Sequence, residues 1–211
     1  MSISRYFLIA VGILGTVAVS AREIEKKIPG PDAFFDPLRT VKSLFCSFSQ
    51  KQEICGLTRP ILLEGSFCMN DRGDLAWIVQ NPIRFYCIIR RSKLTAWDIE
   101  TGKKQQIDLK KHPAFSVMID MMKNFFAGKI SVTKDYKCTI VSALKILLEP
   151  LSHCPMAGTV SKIEITLSSD RRSIKEVKTF SSNGDCNTIC FKDIKLDVQI
   201  PESVWEKGVW K

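Results

Sequence analysis

Apolar and polar residues alternate with a period of two through most of the chain after Cys46. Runs of this kind at 46–52, 60–69, 74–80, 84–91, 94–99 and 104–109 predict consecutive short strands. Turn signals separate them: Asn70-Asp71-Arg72-Gly73, Asn81-Pro82, Arg91-Ser92-Lys93 and Glu100-Thr101-Gly102. These connections are too short for parallel crossovers, so the strands form an antiparallel meander. The period then changes. Phe115, Met118, Ile119, Met122, Phe125 and Phe126 recur at helical spacing, with Pro113 ahead and Gly128 closing the helix. Strands resume at 135–141, 144–149, 160–167, 174–181 and 186–192, and Asn183-Gly184 is a hairpin signal between the last two. Before the first strand, Asp36 as cap, Pro37 in the first turn, and Leu38, Val41, Leu44 and Phe45 on one face predict a helix. A sheet of about ten or eleven antiparallel strands tends to curl. The expected fold class is mainly β with helices (α+β): a curved antiparallel sheet forming an incomplete β-barrel, with a helical lid over its concave apolar face.

The N-terminus carries a different pattern. Arg5 precedes an almost unbroken apolar run from Tyr6 to Val19, and Val19-Ser20-Ala21 offers the small residue that signal peptidase requires. Charge returns at once with Arg22-Glu23-Ile24-Glu25-Lys26-Lys27. The run is short for a membrane span, which needs about 20 apolar residues. Residues 1–21 are therefore expected to be a cleaved secretory signal peptide, residues 22–33 a flexible leader containing Pro29-Gly30-Pro31, and residues 34–211 a single domain. A lipid anchor would need a cysteine directly after the cut, and the first cysteine is Cys46.

Composition narrows the chemistry. The 211 residues are 45% hydrophobic and 25% charged, which is ordinary for a globular domain and excludes a disordered or multi-span chain. Lys+Arg 31 against Asp+Glu 22 gives a net charge of +9. The excess reads either as a solvated surface or as attraction to anionic headgroups or an acidic partner, with Arg90-Arg91, Lys103-Lys104 and Lys110-Lys111 at strand ends. No nucleic-acid-binding motif is present. Export and eight cysteines allow disulfides, although buried free thiols fit the apolar strands equally. Cys186 and Cys190 lie about 13 Å apart along one strand, too far to bridge each other. With only two histidines and no C-x2-C pair, no metal site and no cofactor are expected. His153-Cys154 is the one pair that could suggest a nucleophile, without a visible third group. Neither a C-x-x-C redox motif, a phosphate-binding glycine loop nor a G-x-S-x-G elbow occurs.

Alternation groups Leu63, Gly65 and Phe67 on one side of their strand, then Leu75, Trp77 and Val79, then Phe85, Cys87 and Ile89, and later Ile163, Ile165 and Leu167. Periodicity alone fits a plain core. It also fits an apolar cavity for acyl chains, with methionine and phenylalanine on the inserted helix repacking around a flexible ligand.

A family resemblance bears on this choice. Phe48-Ser49-Gln50-Lys51, Pro60, Gly65-Ser66-Phe67, Leu75-Ala76-Trp77 and Asn81-Pro82 follow one another as in the periplasmic lipoprotein carrier family, LolA. Leu94-Thr95-Ala96-Trp97-Asp98, the Pro113-to-Gly128 helix, Leu148-Glu149-Pro150, the Asn183-Gly184-Asp185 hairpin with Thr188-Ile189-Cys190-Phe191, and Ile200-Pro201 continue the likeness over about residues 34–205. The chain departs from the family in its cysteine content and at its end, where Trp205 and Trp210 stand in place of a further strand.

The resemblance implies a carrier and not an enzyme: a periplasmic chaperone that shields acyl chains of a lipoprotein or related lipid on the way to the outer membrane. It implies cavity-lining roles for Phe48, Leu63, Phe67, Leu75, Trp77, Phe85, Ile89, Phe115, Met118, Met122 and Phe126. Family carriers use an arginine in the turn before the tryptophan strand to govern lid closure. Counting from Gly65 to Trp77 puts Asp71 at that position and Arg72 one residue later, so Arg72 is the candidate switch. The implied partners are acylated cargo, an inner-membrane transporter and an outer-membrane acceptor, with the carrier a monomer and no nucleic acid involved. The alternatives are a sensor of the same fold that binds without ferrying, and a Cys/His-dependent enzyme.

Overall fold

The computed structural model describes residues 30–111, 119, 123–128, 132–154 and 156–207. The expected signal peptide and most of the leader lie outside them, as do Phe115, Met118 and Met122.

Eleven strands of the described residues form one antiparallel sheet. They are β1 (Leu44–Glu53), β2 (Ile61–Met69), β3 (Leu75–Asn81), β4 (Phe85–Arg90), β5 (Lys93–Asp98), β6 (Lys104–Asp108), β7 (Tyr136–Ser142), β8 (Lys145–Pro150), β9 (Val160–Leu167), β10 (Ile174–Ser181) and β11 (Cys186–Leu196). Their spatial order is β6-β5-β4-β3-β2-β1-β11-β10-β9-β8-β7. The chain thus starts at the centre, meanders to one edge, crosses to the opposite edge, and meanders back until β11 pairs with β1. The sheet is curved and does not close, because β6 and β7 remain its two edges.

Curvature is visible in what packs together. Residues from β2 to β5 and from β7 to β11 share one buried cluster, including Leu94 and Ala96 near one edge and Tyr136, Ile146 and Leu148 near the other. Alternation assigns all of these to the same face. Phe34, Phe35, Leu38 and Ile119, from outside the sheet, are buried in the same cluster, so this is the covered, concave face.

The element before β1 departs from expectation. Ala33–Thr40 is a 3-10 helix in which Asp36 lies inside the helix and not at its cap, and Val41 is extended. Leu44 and Phe45 belong to β1, where they point to opposite faces: Leu44 joins the concave cluster and Phe45 packs against a second cluster on the convex side. The 3-10 winding turns Phe34, Phe35 and Leu38 into the core. Val41, Leu44 and Phe45 therefore cannot extend a helical stripe.

That second cluster joins Cys68, Ala76, Ile78 and Ile88 to Val204 and Trp205 of the C-terminal helix Glu202–Lys207. Arg90 fastens this helix by pairing with Glu202 and reaches Asp74 at 3.5 Å. Both faces of β3 are consequently covered.

Elsewhere the convex face carries ion pairs. On β9, Glu164 accepts from Lys145 at 2.7 Å and from Lys162 at 2.9 Å. Partial burial pushes the Glu164 carboxyl up, but the two lysines outweigh it and hold it below the usual carboxylate range. A carboxyl with a depressed folded-state pKa stabilises the protein above its unfolded pKa, and loses that effect as pH falls through the folded value. Glu164→Gln should therefore lower the thermal midpoint at neutral pH, at a cost of about 1 kcal/mol. The gap to wild type should close on acidification below the ordinary carboxylate range, as melts across pH would show. A gap that persists in acid would remove the ion pairs as its cause.

All eight cysteines are free thiols, the second of the two readings that the sequence left open. Cys46, Cys68 and Cys87 are buried, and burial pushes the thiols of Cys68 and Cys87 up to about 12. Cys55 is exposed on the β1–β2 loop. A thiol reagent at mildly alkaline pH should label Cys55 in the native protein, and Cys46, Cys68 and Cys87 only after denaturation. Peptide mapping of the labelled sites would check this, and rapid native labelling of Cys87 would contradict the burial.

Candidate functional site

The route of the chain decides what covers the concave face. The segment from Leu109 to Asp135 joins strands at the two opposite edges of the sheet. Its described side chains pack on the concave side: Ile119 is buried in that cluster and Phe125, Phe126 and Ala127 pack against it. The ring of Phe126 lies 4.5 Å from that of Phe67 and 5.5 Å from that of Phe191. Phe125 meets Phe35 at 6.0 Å and Tyr136 at 6.3 Å. The described residues of this bridge, 119 and 123–128, therefore cover the concave face.

Gly128 ends the bridge's helical turn. Its φ of +62° belongs to the left-handed region, and a methyl group there would sit 2.4 Å from the carbonyl oxygen of Phe35. Arg39 Nε donates to the Gly128 carbonyl at 2.7 Å. Near the far end of the bridge, Thr133 Oγ1 donates to Asp32 at 2.7 Å. The bridge is thus tied to the N-terminal 3-10 helix by a close backbone approach as well as by side chains.

Beneath the bridge lies an aromatic group. The rings of Phe48 and Trp77 are 4.1 Å apart, Phe67 and Trp77 are 5.7 Å apart, and Phe191 stands edge-on to Trp77 at 6.5 Å. Register brings them together: Phe48 is opposite Phe191 on β11, and Phe67 is opposite Trp77 on β3. Glycine at position 65, opposite both Phe48 and Val79, leaves room for the Phe48 ring.

Of the residues singled out from sequence, Phe48, Leu63, Phe67, Leu75, Trp77, Phe85 and Ile89 share the concave cluster, and Phe126 packs against it. Arg72 is exposed in the β2–β3 turn, where Asn70 Oδ1 accepts from its backbone amide at 3.1 Å. Its charge contributes to lowering the Glu202 carboxyl, after the larger effect of Arg90. The same turn borders the bridge, since a methyl group on Gly73 would lie 3.8 Å from Cδ of Lys123. Phe191 was not singled out, although its alternation with Ile189 on a strand beside β1 marks it as concave.

No family model matches the chain, and no curated protein matches it. Solved structures do. An uncharacterized conserved protein from Thermus thermophilus is 5% identical with a TM-score of 0.53, the match covering 85% of this chain and 94% of that one. A LolA superfamily protein from Nitrosomonas europaea is 8% identical with a TM-score of 0.41, covering 83% and 97%. A DUF1329 family protein from Desulfovibrio piger is 7% identical with a TM-score of 0.46, covering 84% and 95%. The Thermus protein shares the fold, and the other two are looser likenesses.

The sequence pair His153-Cys154 is split by the structure. His153 is exposed and its Nε2 lies 2.9 Å from the Lys134 carbonyl, whereas Cys154 is buried in the concave cluster. Among the described residues no group of three or more His, Cys, Asp or Glu could hold a metal ion. Tyr136, beside Cys154, has its hydroxyl pushed up by burial first and by the neighbouring thiol next, so it stays neutral.

Proposed function

We propose that this protein is a periplasmic carrier that shields the acyl chains of a lipoprotein or related lipid, using the concave face of its sheet as the holding surface and the segment from Leu109 to Asp135 as the cover. The observation that carries this reading is the packing of that segment's described residues, Ile119 and Phe125 to Ala127, on an aromatic-rich concave face. Exposing acyl chains to water costs about 0.8 kcal/mol per CH2, so a courier must bury them and must also let them go. A cover held by ring contacts and by hydrogen bonds near its far end can lift from such a face more readily than a strand paired on both sides. The residues offered as lining are Phe48, Leu63, Phe67, Leu75, Trp77, Phe85, Ile89 and Phe126, joined by Phe115, Met118 and Met122 of the bridge. Arg72 is offered as the residue through which the turn before β3 senses the cover.

The separation of His153 from Cys154 favours binding over catalysis. The signal-like N-terminus and the order of motifs shared with LolA support export and a place between the two membranes.

The test is native mass spectrometry of the protein purified from the exported fraction, before and after gentle delipidation, followed by transfer of a labelled acylated cargo to acceptor membranes. A co-purifying acylated species that is lost on delipidation and handed to membranes is the expected result. Binding without transfer would favour the sensor. Failure to take up any acyl probe would mean that the concave face is simply core.

A further inference from the structure

One end of the concave face, where β1 and β10 finish and β11 begins, is not wholly apolar. Gln50 and Gln52 follow Phe48 on the inward side of β1 and are each 2% exposed. Asn187 is opposite Gln52 on β11 and is 1% exposed. Thr179 is opposite Asn187 on β10, and Ser181 follows it; both are buried. Gln50 Nε2 donates to Asn187 Oδ1 at 2.8 Å. Register surrounds this strip with Leu63 opposite Gln50, Ile61 opposite Gln52, Ile163 opposite Thr179 and Val160 opposite Ser181. Neighbouring lysine and glutamate residues on β9, Lys162 and Glu164, lie on the convex side of the sheet.

Amides buried in an apolar wall are expensive unless hydrogen-bonded, and a surface meant only for hydrocarbon has no use for them. The chemistry of the strip is specific. Every member is neutral and every member can both donate and accept. Phosphate or a carboxylate would call for arginine or lysine, which the strip lacks. Ester and amide carbonyls match it, because they need donors but bring no charge. They are also the groups that sit where acyl chains join a glycerol or an amino terminus.

We infer that Gln50, Gln52, Asn187, Thr179 and Ser181 form a recognition strip for the neutral ester or amide linkages of an acylated ligand, with its chains lying on the apolar residues to either side. This rests on the carrier reading and deepens it: the strip would make the protein select acyl esters and amides over hydrocarbon of equal length. It would also fix how far along the trough the ligand lies.

The test compares dioctanoylglycerol with its diether analogue, dioctylglycerol, as competitors for a bound fluorescent acyl probe. The two differ in the carbonyl groups and share the free hydroxyl. The ester is expected to bind about tenfold tighter to the wild-type protein, the worth of one or two hydrogen bonds. In the double variant Gln50→Leu/Asn187→Leu, which removes both partners of the buried pair, that preference should shrink towards one. Equal affinities in the wild type would overturn the strip's role and leave the carrier reading standing. Retained ester preference in the double variant would overturn it too. If neither lipid displaces the probe and no acyl probe binds, the carrier reading falls and the strip with it. The wild-type comparison does not depend on the variant folding.

Discussion

Trp77→Glu is expected to abolish binding of acyl probes and to destabilise the protein by more than about 3 kcal/mol. Trp77 is 8% exposed, with the rings of Phe48, Phe67 and Phe191 around it at 4.1, 5.7 and 6.5 Å. A carboxylate there would replace an aromatic contact with a charge in the centre of the apolar face. Either it protonates, leaving a polar group and a cavity, or it draws water in, and both remove the surface that holds hydrocarbon. Because the glutamate variant can fail by unfolding, Trp77→Phe is its companion. It keeps an apolar ring, so it should fold with a loss of about 1–2 kcal/mol and bind acyl probes within a few-fold of wild type. Probe displacement and denaturant melts on both variants separate the effects. Normal binding by a folded Trp77→Glu protein would take Trp77 out of the lining.

The strands could be read from the sequence because each one carries its own signal. A period of two and a turn at each end reproduced all eleven, with boundaries mostly within a residue or two of those observed. Their order in space followed less directly. Adjacent strands were predicted to pair, but the pairing of β1 with β11, which sends the bridge from edge to edge, depends on contacts distant in sequence. The helix expected over Leu38 to Phe45 failed because apolar spacing at the junction suits two structures at once. Leu44 and Phe45 are claimed by opposite faces of β1, and pairing with β2 and β11 outweighs a weak local preference. Two features missed in the sequence did leave traces. Leu75-Ala76-Trp77-Ile78-Val79 is a continuous apolar run, which signals a strand buried on both faces and hence a cover for the convex side. That cover is the C-terminal helix with Trp205. Likewise Gln50 and Gln52 share the parity of Phe48, so alternation itself placed two amides on the inward face. What the sequence could not supply was Asn187 opposite them, because that neighbour is set by the β1–β11 register.

Gly65→Ala should be the most damaging single-methyl change in the sheet. A Cβ at position 65 would fall 1.9 Å from the carbonyl oxygen of Ile78, 2.9 Å from its carbonyl carbon and 3.0 Å from Cε1 of Phe48. The first two are backbone atoms of the paired strand β3, which cannot rotate aside as a side chain can. The pairing of β2 with β3 shifts register between Glu64 and Gly65, and that irregularity brings the Ile78 carbonyl onto the glycine. Relief requires opening the β2–β3 ladder where Phe67 faces Trp77 two residues away. The cost should exceed about 3 kcal/mol, against the few tenths of a kcal/mol typical of an unstrained glycine-to-alanine change. Gly30→Ala is the control, because a methyl there meets nothing within 4 Å and should leave the denaturation midpoint nearly unchanged. The variant also reaches the proposed site. The Phe48 ring occupies the space that glycine leaves, and its contact with Trp77 at 4.1 Å is the shortest ring pairing among the described residues of the concave face. Any Gly65→Ala protein that folds should therefore bind acyl probes more weakly than its stability alone would give. A midpoint within about 1 kcal/mol of wild type would mean that β2 and β3 can separate at the bulge without loss, and that the close approach at Gly65 does not hold the aromatic group in place.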